Sequence, residues 1–416
     1  MSRKINFLKG TLIVLAGVIG GPVAAQQQQL FSVVATVTTP GSQPVTQSTG
    51  FNTAQQFVNQ YQNANLQALF PNYVDNVSKV AAQALFRGLP VNLNYGLNST
   101  ALVFQVPSIG LNQTFTGTTR DDSANALVTF LKNNGGTIVR ELEQALASST
   151  TADPISGNPN SLVASMAAAN FGNGGAGEAE PTKGSGLSSA FATSIDSSLF
   201  SANDVHTGRS ISGDIGYTFT FADPRYAILF DLPICYIQRD QAVSYLASAG
   251  LGVRIPLADH WSITPMARAG VAASLDEFSA GIVYSGSMTS NYNIYVSDVV
   301  FGIHNSVGYY KSLAVAVDNV KIDPGVQNTL FKNGLSAEGS VDATMFGQPT
   351  SWQIYANDSE TSGNATAINR WNEFGVSYGT RQSPGSSGWD VFRIGVAGMI
   401  GDRGYKAIEI TAGLKF

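Results

Sequence analysis

A histidine and a serine stand two positions apart at His304-Asn305-Ser306. Because alternate residues of a strand share a face, the imidazole and the hydroxyl would lie side by side. A histidine beside a serine can act as a general base toward a nucleophilic hydroxyl, which is the chemistry of ester hydrolysis. The apolar neighbours Phe301 and Ile303 place the pair on the opposite face of the strand, and no carboxylate on it would orient the imidazole. The pair falls short of the geometry of a catalytic site, so we expect no enzyme activity.

The remaining residue types exclude most other active-site chemistry. Cys235 is the only cysteine, so neither a disulfide nor a cysteine-based metal site can form within the chain. The three histidines, His206, His260 and His304, are far apart in sequence, which argues against a zinc centre. No G-x-S-x-G elbow and no phosphate-binding glycine loop occurs. We therefore expect no catalytic residue, no metal site and no cofactor.

Charged residues are sparse, and many fall at alternate positions within apolar runs. They make up 12% of the chain, against about 25% in an ordinary soluble domain. Those expected to line a lumen are Asp214, Asp231, Arg268, Asp298, His304, Glu373, Arg393, Glu409 and Lys415. Both signs occur, so two interpretations stay open: a pore lining that tunes solute passage, or a salt-bridge network in a narrow, closed barrel.

The elements that carry these charges are runs of about ten residues in which apolar and small or polar residues alternate. Ile211 and Ile215 share one face of such a run, for example, while Asp214 lies on the other. Eleven runs occur within residues 208–416, and aromatic residues such as Trp352 stand near their ends, as in interfacial girdles. The pattern predicts an all-β transmembrane antiparallel barrel rather than a soluble sandwich.

The N-terminus predicts export. Residues 1–25 combine basic residues with a short apolar run, Gly10–Ile19, and small residues before a cleavage site between Ala25 and Gln26. The run is too short to cross a bilayer, which needs about 20 apolar residues. We therefore expect a cleaved signal peptide and a secretion translocon as a partner. The net charge of −5 and the pI near 5.2 give no support for nucleic-acid binding.

Residues 26–207 follow a different pattern and are expected to form a mainly helical or irregular region. Apolar residues recur with helical spacing from Phe57 to Ala68, and a second helix is expected from about Ser123, with a break at Gly135-Gly136. The stretch Gly172–Ser189 has the composition of a linker. The sequence thus predicts a signal peptide, this region, and a barrel from residue 208.

The last strand resembles the C-terminal targeting signature of Gram-negative outer-membrane proteins. The residues that carry the resemblance alternate up to the end of the chain: Ile408, Ile410, Ala412, Leu414 and Phe416. The resemblance implies a bacterial outer-membrane β-barrel that is embedded in outer-membrane lipid and inserted by the barrel-assembly machinery. More loosely, residues 208–416 resemble the solitary autotransporter-like barrels, which lack a large secreted passenger.

The His304-Asn305-Ser306 segment is similar to the His-x-Ser arrangement of outer-membrane phospholipases and lipid A deacylases. That similarity implies a lipid esterase as one alternative. The segment departs from the pattern in two ways: the pair faces away from lipid, and Val307 stands where the phospholipase motif has asparagine.

Strand number links the two regions, because single-chain bacterial barrels have an even number of strands. Eleven runs leave one strand missing, and we expect it from the N-terminal region, either Leu30–Val37 or Val91–Val106, for about twelve in all. The helices between would then lie in the barrel as a plug, or otherwise form a periplasmic domain.

Three functions stay open. The first is a non-enzymatic pore or structural barrel that its N-terminal region plugs or gates. The second is an autotransporter-like translocator that presents residues 26–200, and the third is the lipid esterase built on His304 and Ser306. The transported solute and the oligomeric state do not follow from the sequence.

Overall fold

The computed structural model describes residues 31–51, 69–174, 189–203, 207–223, 225–277, 279–317, 320–380 and 391–415. Four predicted features lie wholly or largely outside these residues: the signal peptide, the helix from Phe57 to Ala68, most of the Gly172–Ser189 linker, and Phe416. No helix in the described ranges is long and apolar enough to cross a membrane.

The N-terminal region contains a six-stranded antiparallel sheet followed by two helices. Its strands are β1 (Phe31–Thr38), β2 (Val45–Phe51), β3 (Lys79–Phe86), β4 (Leu89–Tyr95), β5 (Leu102–Val106) and β6 (Leu111–Phe115), in the order β2-β1-β3-β4-β5-β6. Helix α1 (Arg120–Ser149) begins with a capping box at Thr119 and Asp122 and continues through Gly135-Gly136 without the expected break. Helix α2 (Leu162–Asn173) is capped by Ser161.

Whereas the N-terminal region expected to be mainly helical or irregular contains a six-stranded sheet, twelve antiparallel strands form the barrel, which confirms the predicted all-β barrel and its strand number. Its segments are β7 (Ser189–Ser201), β8 (Thr207–Thr220), β9 (Ala227–Asp231), β10 (Ile234–Arg239), β11 (Ala242–Ala258), β12 (Trp261–Ser274), β13 (Ser279–Val296), β14 (Val299–Leu313), β17 (Gln327–Met345), β18 (Gln348–Gly363), β19 (Arg370–Thr380), β20 (Val391–Gly401) and β21 (Lys406–Lys415), with a hairpin of β15 (Val315–Val317) and β16 (Val320–Ile322) beside them. Segments β9 and β10 are one barrel strand, because both pair with β8 and β11. Pro233, which has no N–H for the ladder, lies in the gap between them.

The strand that completes the even number is β7, which pairs with β21 and closes the sheet. The prediction that Leu30–Val37 or Val91–Val106 supplies it is wrong, since these segments pair within the N-terminal sheet. The barrel sheet therefore starts at Ser189, before the expected boundary at residue 208. Five serines among the thirteen residues of β7 hide its alternation in the sequence.

The outer face of the barrel is apolar and the inner face is polar. Along β11, buried residues alternate with exposed ones, and the exposed set includes Leu251, Val253 and Leu257. Exposed large hydrophobic side chains recur in the same way on the other strands. A closed sheet with such a surface satisfies its backbone without water and presents hydrocarbon to lipid, which makes it an outer-membrane barrel.

The two ends of the barrel differ in their connections. At one end, two-residue turns join neighbouring strands at Asp259-His260, Ser297-Asp298 and Phe346-Gly347; we call this the short-turn end. The other end, the loop end, has one two-residue turn, Asp240-Gln241, and also carries the longer connections: the β15–β16 hairpin and the segment between β18 and β19. Strand β7 begins, and β21 finishes, at the short-turn end.

Candidate functional site

Helix α2 lies inside the barrel, against the inward faces of β11 to β14 and β17. Leu162 and Met166 are buried against wall residues, including Ala272 and Val283. Gly270 permits this approach, because a Cβ there would meet Leu162 Cδ1 and Met166 Sδ at 3.0 Å. The lumen is therefore partly filled by a helix that packs as tightly as a protein core.

A buried arginine joins this helix to the wall. Arg268 on β12 donates from Nη2 to both carboxylate oxygens of Asp231 on β9, at 2.7 and 2.6 Å. Its Nε donates to Asn170 Oδ1 of α2 at 2.8 Å, and its Nη1 donates to Ser248. Both charged side chains are fully buried. A desolvated pair of this kind is tolerated because its hydrogen bonds are satisfied.

The C-terminal half of α2 meets a second group of wall residues, nearer the short-turn end. The Thr289 hydroxyl donates to the Asn170 carbonyl oxygen. Phe171 packs edge-on against the imidazole of His304, and Lys332 Nζ lies 5.2 Å from the centre of the Phe171 ring. Lys332 also pairs with Glu373 at 3.1 Å. The helix is thus held along its length by polar and aromatic contacts.

The segment between α1 and α2 covers the loop end of the barrel. Residues 150–158 are all buried. The N–H groups of Ala367 and Ile368, in the β18–β19 loop, donate to the carbonyls of Ala147 and Gly157. Arg403, in the last loop, donates to the final carbonyls of α1. The loop end is therefore hydrogen-bonded to the N-terminal region on several sides.

Five buried ionisable residues reinforce this closure, and we call them the mouth cluster: Arg87, Glu143, Asp153, Arg239 and Glu277. Arg87, beside the N-terminal sheet, pairs with Glu143 of α1 and with Asp153, each at 3.1 Å. Arg239, at the end of β10, pairs with Glu277 at 3.1 Å and donates to the Ala152 carbonyl. Burial raises the pKa of Glu143, the Arg87 guanidinium lowers it and the negative Asp153 raises it again; the net effect is a pKa of about 7.

A cavity of about 380 Å³ remains beside α2, bounded by β7, β8, β10 and the strands from β17 to β21. Its charged lining residues are Asp196, Lys332, Glu373 and Glu409. Three carboxylates face one ammonium group, and the lysine is already paired with Glu373. The free part of the lumen is therefore lined by more carboxylates than cations.

Most residues predicted to line the lumen point inward. Asp231, Arg268 and His304 are buried, and Glu373 and Glu409 face the cavity. The structure also places Asp214 and Arg393 on the inner face, the latter paired with Glu338 at 3.0 Å. Nothing is described of the Lys415 side chain.

The prediction that Asp298 lines the lumen is wrong, because Asp298 lies exposed in the two-residue turn between β13 and β14. Ser297, where φ is 52°, and Asp298 form the turn between β13 and β14, so Asp298 lies at the short-turn end and not on the inner face of a strand.

The two candidate catalytic residues do not contact one another. Ser306 Oγ lies 3.0 Å from Thr289 Oγ1, within hydrogen-bond distance. His304 Nε2 instead lies 2.9 Å from Ser336 Oγ on β17. The other imidazole nitrogen, Nδ1, is buried without a partner in the part of the chain that the structure describes, so no carboxylate orients the ring. The geometry of an activated serine is absent from this described pair.

Several residues of the site were missed by sequence reasoning. Asn170 lies in a helix that no charge or motif marks. Lys332 is not among the residues expected to line the lumen, although it lies on β17, which begins at Gln327. The sequence of β17 does alternate: Asn328 and Lys332 fall on one face of the strand, and the apolar Phe331 and Leu335 fall on the other.

No protein-family model and no curated protein matches this sequence. Solved structures with a similar fold include the β domain of the Bordetella autotransporter BrkA, at 12% identity and a TM-score of 0.42, covering 55% of this chain and 99% of that one. The translocator domain of NalP from Neisseria meningitidis matches at 12% identity and 0.41, covering 61% and 96%. LpxR from Salmonella typhimurium matches at 12% identity and 0.35, covering 55% and 99%. All three are similar to this chain in the barrel fold.

Proposed function

We propose that this outer-membrane barrel presents its own N-terminal region on the cell surface, with α2 passing through the lumen and closing it. The observation that carries the proposal is the direction of α2. Its first turn lies near the loop end, where Leu162 faces Gly270, and Ile155, which precedes the helix, packs against Gly281. Its last turn lies deeper, by Thr289 and His304. The chain therefore runs down the lumen toward the short-turn end, where β7 begins.

The distances are compatible with this path. Residues 175–188 stand between α2 and β7, and fourteen extended residues can span about 48 Å. That length exceeds the apolar height of such barrels, about 25 Å. Short turns of outer-membrane barrels face the periplasm and longer loops face outward, so we assign the loop end to the cell surface. The N-terminal sheet and α1, which contact the loop end, would then be external.

Surface labelling tests this proposal. Ser48 is exposed on β2, and Asp298 is exposed in a turn of the short-turn end. In a Cys235→Ala background, a membrane-impermeant maleimide should label Ser48→Cys on intact cells and label Asp298→Cys only after the outer membrane is permeabilised. Labelling of Ser48→Cys only after permeabilisation would place the N-terminal region in the periplasm and end the proposal.

A second candidate function is gated passage of small solutes, and the acidic cavity favours it. Release of α2 would join this space to both ends of the barrel. We expect the full-length protein to be closed in planar bilayers, and a variant lacking residues 26–173 to conduct with a preference for cations. Equal conductance of the two would mean that α2 does not obstruct the lumen.

The proposal is non-enzymatic, and it includes a cleaved signal peptide. Mass spectrometry of protein purified from outer membranes should find a mature chain that begins at Gln26. Secretion translocon and barrel-assembly machinery are the partners this route requires. Retention of residues 1–25 would contradict cleavage while leaving the barrel proposal intact.

A further inference from the structure

Two asparagines lie side by side on the outer, lipid-facing surface of the barrel. Asn305 on β14 and Asn333 on β17 are direct partners in the antiparallel register. Both are exposed, as are their outward neighbours Ile303 and Val307 on β14 and Phe331 and Leu335 on β17. The pair is thus a polar patch in an apolar surface, and it belongs to neither the lumen nor α2.

The patch lies near the middle of the membrane. On β14, outward-facing Phe301 and Tyr309 stand four residues to either side of Asn305 and mark the two interfacial levels. On the opposite side of the barrel, the middle of β8 carries Ile215 on its outer face, with 48% of its surface exposed. Among the described residues, outward-facing amide and carboxylate side chains at this depth are therefore confined to neighbouring strands on one side of the barrel and are not a property of the whole belt.

Flanking polar residues in the same row are satisfied, whereas the two amides are not. Ser290, opposite Asn305, accepts a hydrogen bond from Trp261 Nε1. Asp358, opposite Asn333, pairs with Arg370. Neither asparagine side chain has a hydrogen-bond partner among the described residues. An amide in hydrocarbon without a partner is costly, so polar groups at this depth mark contacts or functional sites.

We propose that this patch, Asn305 and Asn333 with their apolar neighbours, is the interface between two copies of the barrel in the membrane. Each amide carries two N–H donors and one acceptor, so the patch is complementary to itself in partial charge. A two-fold axis along the membrane normal keeps equal depths together and brings the amides of two copies into contact. Amide side chains also promote association of membrane helices, because they form hydrogen bonds between neighbouring helices. The inference rests on the barrel being in a membrane, not on where its N-terminal region lies.

Disulfide trapping in native membranes tests the interface. Cys235 faces the lumenal cavity and is replaced by alanine to give a cysteine-free background. Oxidation of Asn305→Cys should produce a species of twice the chain mass, at least tenfold more than Ile215→Cys, the matched control on the opposite side. Equal trapping at both positions, or none at Asn305→Cys, overturns the proposal. An adduct with a protein of different mass at Asn305→Cys overturns it as well.

A second variant separates association from folding. Asn305→Leu with Asn333→Leu restores an apolar surface, so the barrel should insert and keep its heat-modifiable migration in gels. Native mass spectrometry from mild detergent should find a dimer for the unmodified protein and a monomer for the double variant. A dimer that persists in the folded double variant contradicts the role of the amides.

Discussion

Arg268 on β12 donates a hydrogen bond to Asn170 on α2, at 2.8 Å, while the same guanidinium holds Asp231 on β9. One wall residue thus joins the lumenal helix to an ion pair of the barrel itself. Because the arginine is already neutralised by Asp231, loss of Asn170 leaves no uncompensated charge. The contact can therefore be weakened without damaging the barrel.

The first prediction follows from this contact. Asn170→Ala removes a hydrogen bond from a charged donor, worth about 1.5–3 kcal/mol. We expect α2 to leave its site about ten- to a hundred-fold more often, which single-channel recordings would register as a higher frequency of openings. Asn173→Ala is the matched control, since its amide donates to the carbonyl of Ala169 within the helix and to no wall residue among those that the structure describes. Similar opening frequencies for the two variants would contradict the prediction.

The second prediction concerns the turn that enters the lumen. Gly157 has a φ of 89°, and a Cβ there would overlap the carbonyl of Ala147. Gly157→Ala should cost about 1–3 kcal/mol from its backbone conformation alone and more from the overlap. We expect the covering segment to detach, seen as faster proteolysis within residues 150–161. Gly172→Ala meets open space in α2 and should instead stabilise the helix by about 1 kcal/mol. Unchanged proteolysis of Gly157→Ala would refute this account.

The third prediction is a pH dependence of the docked N-terminal region. The pKa of Glu143 is raised to about 7 in the folded protein, against about 4.3 when unfolded. The folded state therefore binds this proton more tightly, and its stabilising contribution is complete below about pH 4.3 and lost as pH rises through 7. Thermal unfolding in detergent should show a midpoint that falls over this window. Glu143→Gln should flatten the slope; an identical slope in both proteins would assign the titration to another group.

The fourth prediction concerns esterase activity. Since Ser306 does not contact His304, and no carboxylate among the described residues orients the imidazole, we expect no hydrolysis of acyl esters by the purified protein. Ser306→Ala should equal the unmodified protein in a chromogenic ester assay. Activity that is lost in Ser306→Ala and kept in Ser336→Ala would reinstate the original pair.

The barrel could be predicted because the features that define it appear within each strand's own sequence. Alternation along β8 or β21, aromatic residues at strand ends and scarce charge each follow from having lipid on one side and a lumen on the other. The missing strand could be counted from parity but not located, because Ser194, Ser197 and Ser198 dilute the alternation of β7. The requirement for an even number of strands applies to the whole barrel, so it does not identify the segment that supplies the missing strand.

The content of the lumen could not be predicted in the same way. Asn170 becomes significant only when β12 brings Arg268 beside it, nearly a hundred residues later in the chain. The mouth cluster likewise joins residues from three separate parts of the sequence. The N-terminal sheet was missed because its strands are short and were interpreted as irregular or as barrel strands.

The pairing of β21 with β7 also sets the order of assembly. Lys406 pairs with Ser201, about 200 residues earlier, so this ladder has a high loop-closure cost and cannot form before β21 has been synthesised. Until then the sheet has two open edges and a gap along its side. A segment that ends up enclosed, as α2 does, can enter through that gap instead of being threaded through a finished ring. The β7–β21 pairing is thus the last to form, and its late closure leaves an interval in which α2 can enter the lumen from the side.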